Sequence, residues 1–196
     1  MKTLLSFAFL LFSLSTFAQK SENIIKSDKP ITWLGLDLSH ARFIGDANQY
    51  KDLGNITGIE VRDKYAPGWN QLFVNEQKKY DVAKYVHRDA VEYAMDVTER
   101  VNNSIGKSFF SNDPNEYSRL TEADIKSAVK KYDFKGKKGI GLVIIIEGMS
   151  KGKEEATGWI TFLDMGTKTV LQTRKVTGKA GGLASAIIGQ RPSSTS

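Results

Sequence analysis

The stretch KGIGLVIIIEGMSKGK, Lys138 to Lys153, holds five consecutive aliphatic residues, Leu142 to Ile146, followed at once by Glu147. Apolar residues fill both alternating sets of positions, so a strand over 139–147 is covered on both faces and lies at the centre of its sheet. Glu147 then has two readings: a carboxylate buried in the sheet, or the point where the strand leaves the core. Charged residues at strand ends are ordinarily solvated. The expectation is therefore a strand exit, with Glu147 paired to Lys151 or Lys153 across its own loop, an ion pair of small worth.

Two more strands follow, 156–164 and 168–178. The turn DMGTKT between them places a glycine where positive φ is wanted, which predicts an antiparallel hairpin. The last strand alternates apolar residues with Gln172, Arg174 and Lys175 and reads as an edge. Upstream, ITWLGLDL (31–38) is the first strong strand, bounded by Pro30 and by Ser39-His40, and a loop-rich section follows. Residues 66–80 read as a helix, with Pro67 in its first turn and Trp69, Leu72, Phe73 and Tyr80 on one face. The spacing predicts a strand near 81–87 and either a strand or a helix near 90–102, with 111–119 as loop. LTEADIKSAVKKYDF opens a helix with Thr121 as N-cap, Asp124 completing a capping box and Leu120 stapling to Ile125. Ile125, Ala128, Val129 and Tyr132 form its buried stripe. These elements predict a single α+β domain over 31–182: a mostly antiparallel sheet with helices packed on it, ending in a three-stranded meander.

The N-terminus, MKTLLSFAFLLFSLSTFAQK, has a basic start at Lys2, an apolar run from Leu4 to Leu14 and small residues before Gln19. This is the layout of a secretory signal over 1–18, too short to span a bilayer. A tether over 19–30 and a Ser-rich tail over 183–196 flank the domain. Export to the periplasm, to the outer membrane or beyond is the expectation, with no membrane span after cleavage. The chain has no Cys, so neither disulfides nor thiol chemistry contribute.

The formal charge is +6, spread along the chain rather than gathered in a nucleic-acid-binding module, and nucleic acid is excluded as the main ligand. GKKGIGL precedes a strand and TGKAGG lacks the Ser or Thr of a P-loop, so both read as turns. The Gly-Leu-Asp-Leu-Ser of 35–39 lacks the second Asp of an Asp-x-Asp phosphatase site. Asp37 and Ser39 are instead expected to cap local backbone groups. Only two histidines occur, His40 and His87, and neither HxxxH nor HExxH is present, so no metal site and no cofactor are expected. GxSxG is absent too. Glu147 and Asp164 fall at opposite ends of their paired strands, too far apart for a glycosidase pair, and Asp164 is placed to bond the amides of the following turn.

The C-terminal block, VIIIEGMSKGKEEATGWITFLDMGTKTVLQTRKVTGKAGG, resembles a family of exported proteins of the Bacteroidota. Their last third runs strand, Glu, a Lys-containing loop, W-[IV]-T-F-x-D, Thr, VL and G-K-x-G-G. Matching positions are Glu147, Lys151, Trp159, Thr161, Phe162, Asp164, Thr167, Val170, Leu171, Gly178, Lys179, Gly181 and Gly182. The resemblance implies export and a fold, and carries no function over.

With no catalytic residues singled out, the sequence points to an exported, non-enzymatic binding or assembly domain whose partner is an envelope protein or a second copy. Asp37, Ser39, Glu147, Lys151 and Asp164 are the candidate binding residues. The alternatives are a hydrolase of an envelope polymer, using Asp37, His40 or Glu147, and a self-assembling envelope protein.

Overall fold

The computed structural model describes residues 24, 29–45, 56–150 and 152–179. The segments expected as signal, tether and tail therefore lie wholly or largely outside the described residues, as do Lys151, Gly181 and Gly182.

The long apolar stretch forms β5, Ile140–Ser150, which is buried almost throughout. On one edge it pairs antiparallel with β6, Glu155–Asp164, and β6 pairs antiparallel with β7, Thr169–Lys179. On the other edge lie two strands in tandem. β1, Ile31–Asp37, pairs with residues 140–145, and β2, Arg42–Ile44, pairs with residues 148–150. Both run parallel to β5. Two-residue strands continue the sheet outward, β3 (Glu92–Tyr93) beside β1 and β4 (Phe110–Ser111) beside β2, again parallel.

Every pairing made by the first four strands is thus parallel, and the expectation of a mostly antiparallel sheet is overturned. The reason lies in the chain's connections. β1 and β5 are brought together by a crossover of about a hundred residues that carries the helices, and such crossovers yield parallel neighbours where hairpins yield antiparallel ones. The double-sided burial of β5 is itself a mark of parallel surroundings.

The crossover supplies the layers on both faces. Against one face lie α1 (Gly58–Glu60), a π-helical turn (Val61–Tyr65), α2 (Ala66–Asn75) and α3 (Val82–Tyr85). They contribute Val61, Phe73 and Val82 to a core with Trp33, Leu142, Ile144 and Phe162. The other face is covered by α4 (Asp96–Asn102) and α5 (Glu122–Lys130), which bring Val97, Ile125 and Val129 against Leu34, Val143, Ile145 and Leu163. The π turn has a local cause. Pro67 lacks an N–H, and the Ala66 N–H reaches back five residues to the Val61 carbonyl, widening the helix just before the proline.

Several expectations need correction. Residues 82–85 are helical, not strand, with Asp81 accepting from the Lys84 N–H as cap. The region near 90–102 holds both alternatives in succession, β3 and then α4. The supposed loop 111–119 contains a 3-10 turn, Pro114–Ser118, and the helix expected over 66–80 stops at Asn75. In the β6–β7 turn the positive φ belongs to Lys168, at 56°, rather than to glycine. Around Thr121 the capping box forms as expected, and Ile125, Ala128, Val129 and Tyr132 are all buried.

Candidate functional site

β1 is sealed along its outer edge by side chains. Beyond β3, which pairs only with Thr32 and Trp33, its main-chain groups face the two helical layers. Asn70 of α2 accepts from the Leu36 N–H at 2.7 Å and donates to the Leu36 carbonyl at 3.2 Å. Asn102 of α4 also donates to that carbonyl, at 3.0 Å, and accepts from the Leu38 N–H at 2.7 Å. The Thr98 hydroxyl donates to the Leu34 carbonyl at 2.6 Å. Asn70, Asn102 and Thr98 are buried, so their side chains stand in for a missing strand at Leu34, Leu36 and Leu38. Gly35 makes this possible: it sits at φ 94°, and a Cβ there would stand 2.7 Å from Asn70 Oδ1 and 2.8 Å from Thr98 Oγ1.

Past β1 the chain turns through Leu38–Ala41, closed by the Ala41 N–H on the Leu38 carbonyl at 2.9 Å. Asp37 is wholly buried there. One carboxylate oxygen accepts from the Ser39 N–H and hydroxyl, at 2.8 and 2.6 Å, which is the local capping expected. The other accepts from the Tyr132 hydroxyl at 2.6 Å, a contact across ninety-five residues that no local signal announces. Burial, reinforced by the Asp37 charge, raises the Tyr132 pKa well above the usual phenol value.

The same turn interrupts the pairing on one side of β5 opposite Ile146 and Glu147, and on the other side the β5–β6 register shifts at this point. Glu147 is the extra residue of that bulge. It is completely buried, so the expected solvated strand exit is wrong. Its carboxylate accepts from the Leu120 main-chain N–H, from Trp159 Nε1 at 3.2 Å and from Lys175 Nζ at 2.7 Å. This cation comes from β7, while of the two loop lysines expected there Lys153 stands over the Tyr117 ring and Lys151 lies outside the described residues. Trp159 stands beside Lys175 across the β6–β7 ladder, with the ammonium 5.4 Å from its ring centroid. Glu147 thereby ties the sheet centre to the edge strand and to the segment that enters α5. Gly148 fits the same junction, since a Cβ on it would come within 2.2 Å of the Tyr117 carbonyl oxygen.

Arg119 bridges this junction to the β1 turn by donating to the His40 carbonyl at 2.7 Å and the Glu116 carbonyl at 3.2 Å. Burial, and then the nearby Arg42 guanidinium, lower its pKa. Asp164 lies at the far end of β6, paired with Ile140, and remains distant from Glu147 along the ladder as expected. It accepts from the Thr167 N–H at 2.8 Å, which holds its carboxyl below the usual carboxylate range.

The candidate residues therefore divide. Asp37, Ser39 and Glu147 belong to one end of the sheet; Asp164 belongs to the other. The carboxylate oxygens of Asp37 and Glu147 are occupied by protein donors, an arrangement suited to holding elements together rather than to moving protons. Tyr132 and Lys175, which bond these carboxylates, and Arg119, which bridges the two turns, complete the group and were not singled out as site residues in the sequence. The buried stripe of α5 included Tyr132, yet nothing local pairs it with Asp37. Among the described residues no cluster of His, Asp and Glu is arranged to hold a metal ion, and no helix is long and apolar enough to cross a membrane.

One feature remains without a partner. β7 pairs with β6 alone, so among the described residues no strand pairs with its other edge. Comparison with family models, with curated proteins and with solved structures gave no match.

Proposed function

We propose that this protein is an exported binding domain that takes up an extended segment of a partner polypeptide as an added strand on β7. The observation that carries the reading is the contrast between the two sides of the sheet. Along β1 the Leu34, Leu36 and Leu38 edge groups are held by buried Thr98, Asn70 and Asn102, whereas among the described residues no strand pairs with the outer edge of the eleven-residue β7. An open edge of that length is a template for strand pairing. The tie from Glu147 to Lys175 supports the reading, because it holds the edge strand rigid from within and so lowers the ordering cost of binding. The signal-like N-terminus and the resemblance of the C-terminal block to exported proteins support a partner in the envelope.

The test is capture from an envelope fraction with the tagged full chain at native expression, repeated with proline placed singly at Gln172, Thr173 and Arg174. Of two successive residues in an edge strand, one directs its N–H outward, so the set includes a proline that removes an outer donor and spares the β6 pairing. Loss of a captured partner in that folded variant is the expected result. A partner retained equally by every folded variant would refute strand addition.

A further inference from the structure

The charge pattern of the free edge narrows the chemistry of the partner, an argument that rests on the strand-addition reading above. Asp164 is the last acidic side chain in the sequence, and from Met165 onward the chain carries Lys168, Arg174, Lys175, Lys179 and Arg191 with no carboxylate side chain. Within the sheet these cations are unevenly satisfied. Lys175 is neutralised by Glu147, and Lys168 Nζ donates to the Tyr132 carbonyl at 2.7 Å. Lys179 lies across the ladder from Glu155, but no ion pair forms between them within 4.0 Å. Arg174 faces the Tyr85 phenol on the opposite side of the sheet and has no ion pair with a carboxylate among the described residues.

Three occupants of the edge can be compared on this basis. A second copy pairing through its own β7 brings only cations and neutral residues, so no register sets a carboxylate opposite Arg174 or Lys179. The chain's own residues after Lys179 contain no acid and add Arg191, so they offer Arg174 and Lys179 nothing. A foreign strand with Asp or Glu opposite Arg174 on one face and opposite Lys179 on the other gains cross-strand pairs on both. We infer that the partner segment is an acidic extended polypeptide, with carboxylates at alternating-face positions matched to Arg174 and Lys179.

Two synthetic eleven-residue peptides of one alternating Val-Thr pattern test this, one carrying three Glu and the other three Lys at the same places. Each is titrated into the full chain at low salt, with binding read by fluorescence anisotropy and by slowed amide exchange along β7. The Glu peptide pairs with Arg174 and Lys179 where the Lys peptide meets like charge, so it should bind roughly ten-fold more tightly, with the gap closing as salt is added. The double variant Arg174→Glu/Lys179→Glu should reverse the preference, and Lys175 is left in place because it holds Glu147. Equal binding of both peptides, each protecting β7, would overturn the charge inference while strand addition stands. No binding and no protection from either would overturn strand addition as well. A dimer of the free protein in which β7 amides are protected would assign the edge to a second copy and overturn the acidic partner.

Discussion

Glu147 concentrates the residue-scale physics of this protein. A carboxylate with no exposure survives in a sheet only when its charge is matched and its oxygens are bonded, and here one ammonium and two N–H donors do both. Replacement by alanine leaves the Leu120 and Trp159 N–H groups unpaired, at about 1–3 kcal/mol each. Lys175 is about one-third exposed and can turn to water, which limits the further loss. Glu147→Ala should therefore destabilise by about 3 kcal/mol, and Glu147→Gln by less, since the amide oxygen still accepts one bond. An unchanged urea midpoint for the alanine variant would contradict this role. Tyr132 makes a second prediction. Its folded pKa is raised above that of the unfolded chain, so its contribution is intact below the ordinary phenol range and is lost as pH climbs beyond it. Stability should fall above about pH 10. Tyr132→Phe should remove that tyrosine's share of the alkaline slope and cost about 1.5–3 kcal/mol at neutral pH, the worth of a hydrogen bond to a charged group. Denaturation curves across alkaline pH check both.

At the scale of the element, β1 shows how a strand is closed without a neighbour. Its right-hand partners are amide and hydroxyl groups from α2 and α4, two helices on opposite faces of the sheet that meet at Leu36. Gly35 is the hinge of that meeting, for a reason of space as well as of φ. Gly35→Ala would strain the backbone by about 1–2 kcal/mol and push against both Asn70 and Thr98. The expected total loss is at least about 2 kcal/mol, since a displaced buried amide leaves Leu36 groups unpaired. A variant with wild-type stability by chemical denaturation would show that the caps readjust freely. The end of α5 nearest the bulge illustrates the opposite case, in which local chemistry sufficed. Thr121 and Asp124 exchange bonds with each other's main chain as their spacing requires, and Leu120 in the same turn supplies the N–H that holds Glu147.

For the whole molecule, β5 is the axis: it is paired along both edges and covered on both faces. Its amides should exchange with solvent only through global unfolding, while every second amide of β7 should exchange quickly in the free protein. Protection that is equal in the two strands would refute an open edge. How much of this was legible beforehand depended on the reach of each interaction. The apolar run of β5, the hairpins to β6 and β7, the edge character of β7, the capping box and the Asp164 turn rest on neighbours within a few residues or on strict alternation, and they were readable in the chain. The parallel pairing of β1 with β5, the tandem placement of β1 and β2 along one edge, the bond from Tyr132 to Asp37 and the burial of Glu147 were not. Each joins residues whose separation in sequence carries no periodic signal, and each depends on how the crossover folds over the sheet. Sequence by itself determined the four long strands β1, β5, β6 and β7, where their apolar faces lie and where the cations gather. Only the tertiary structure decided that Glu147, with Lys175 brought over it from two strands away, is an interior tie rather than an exit. A charge is tolerated in a core only where partners converge in space, and convergence is a property of the fold.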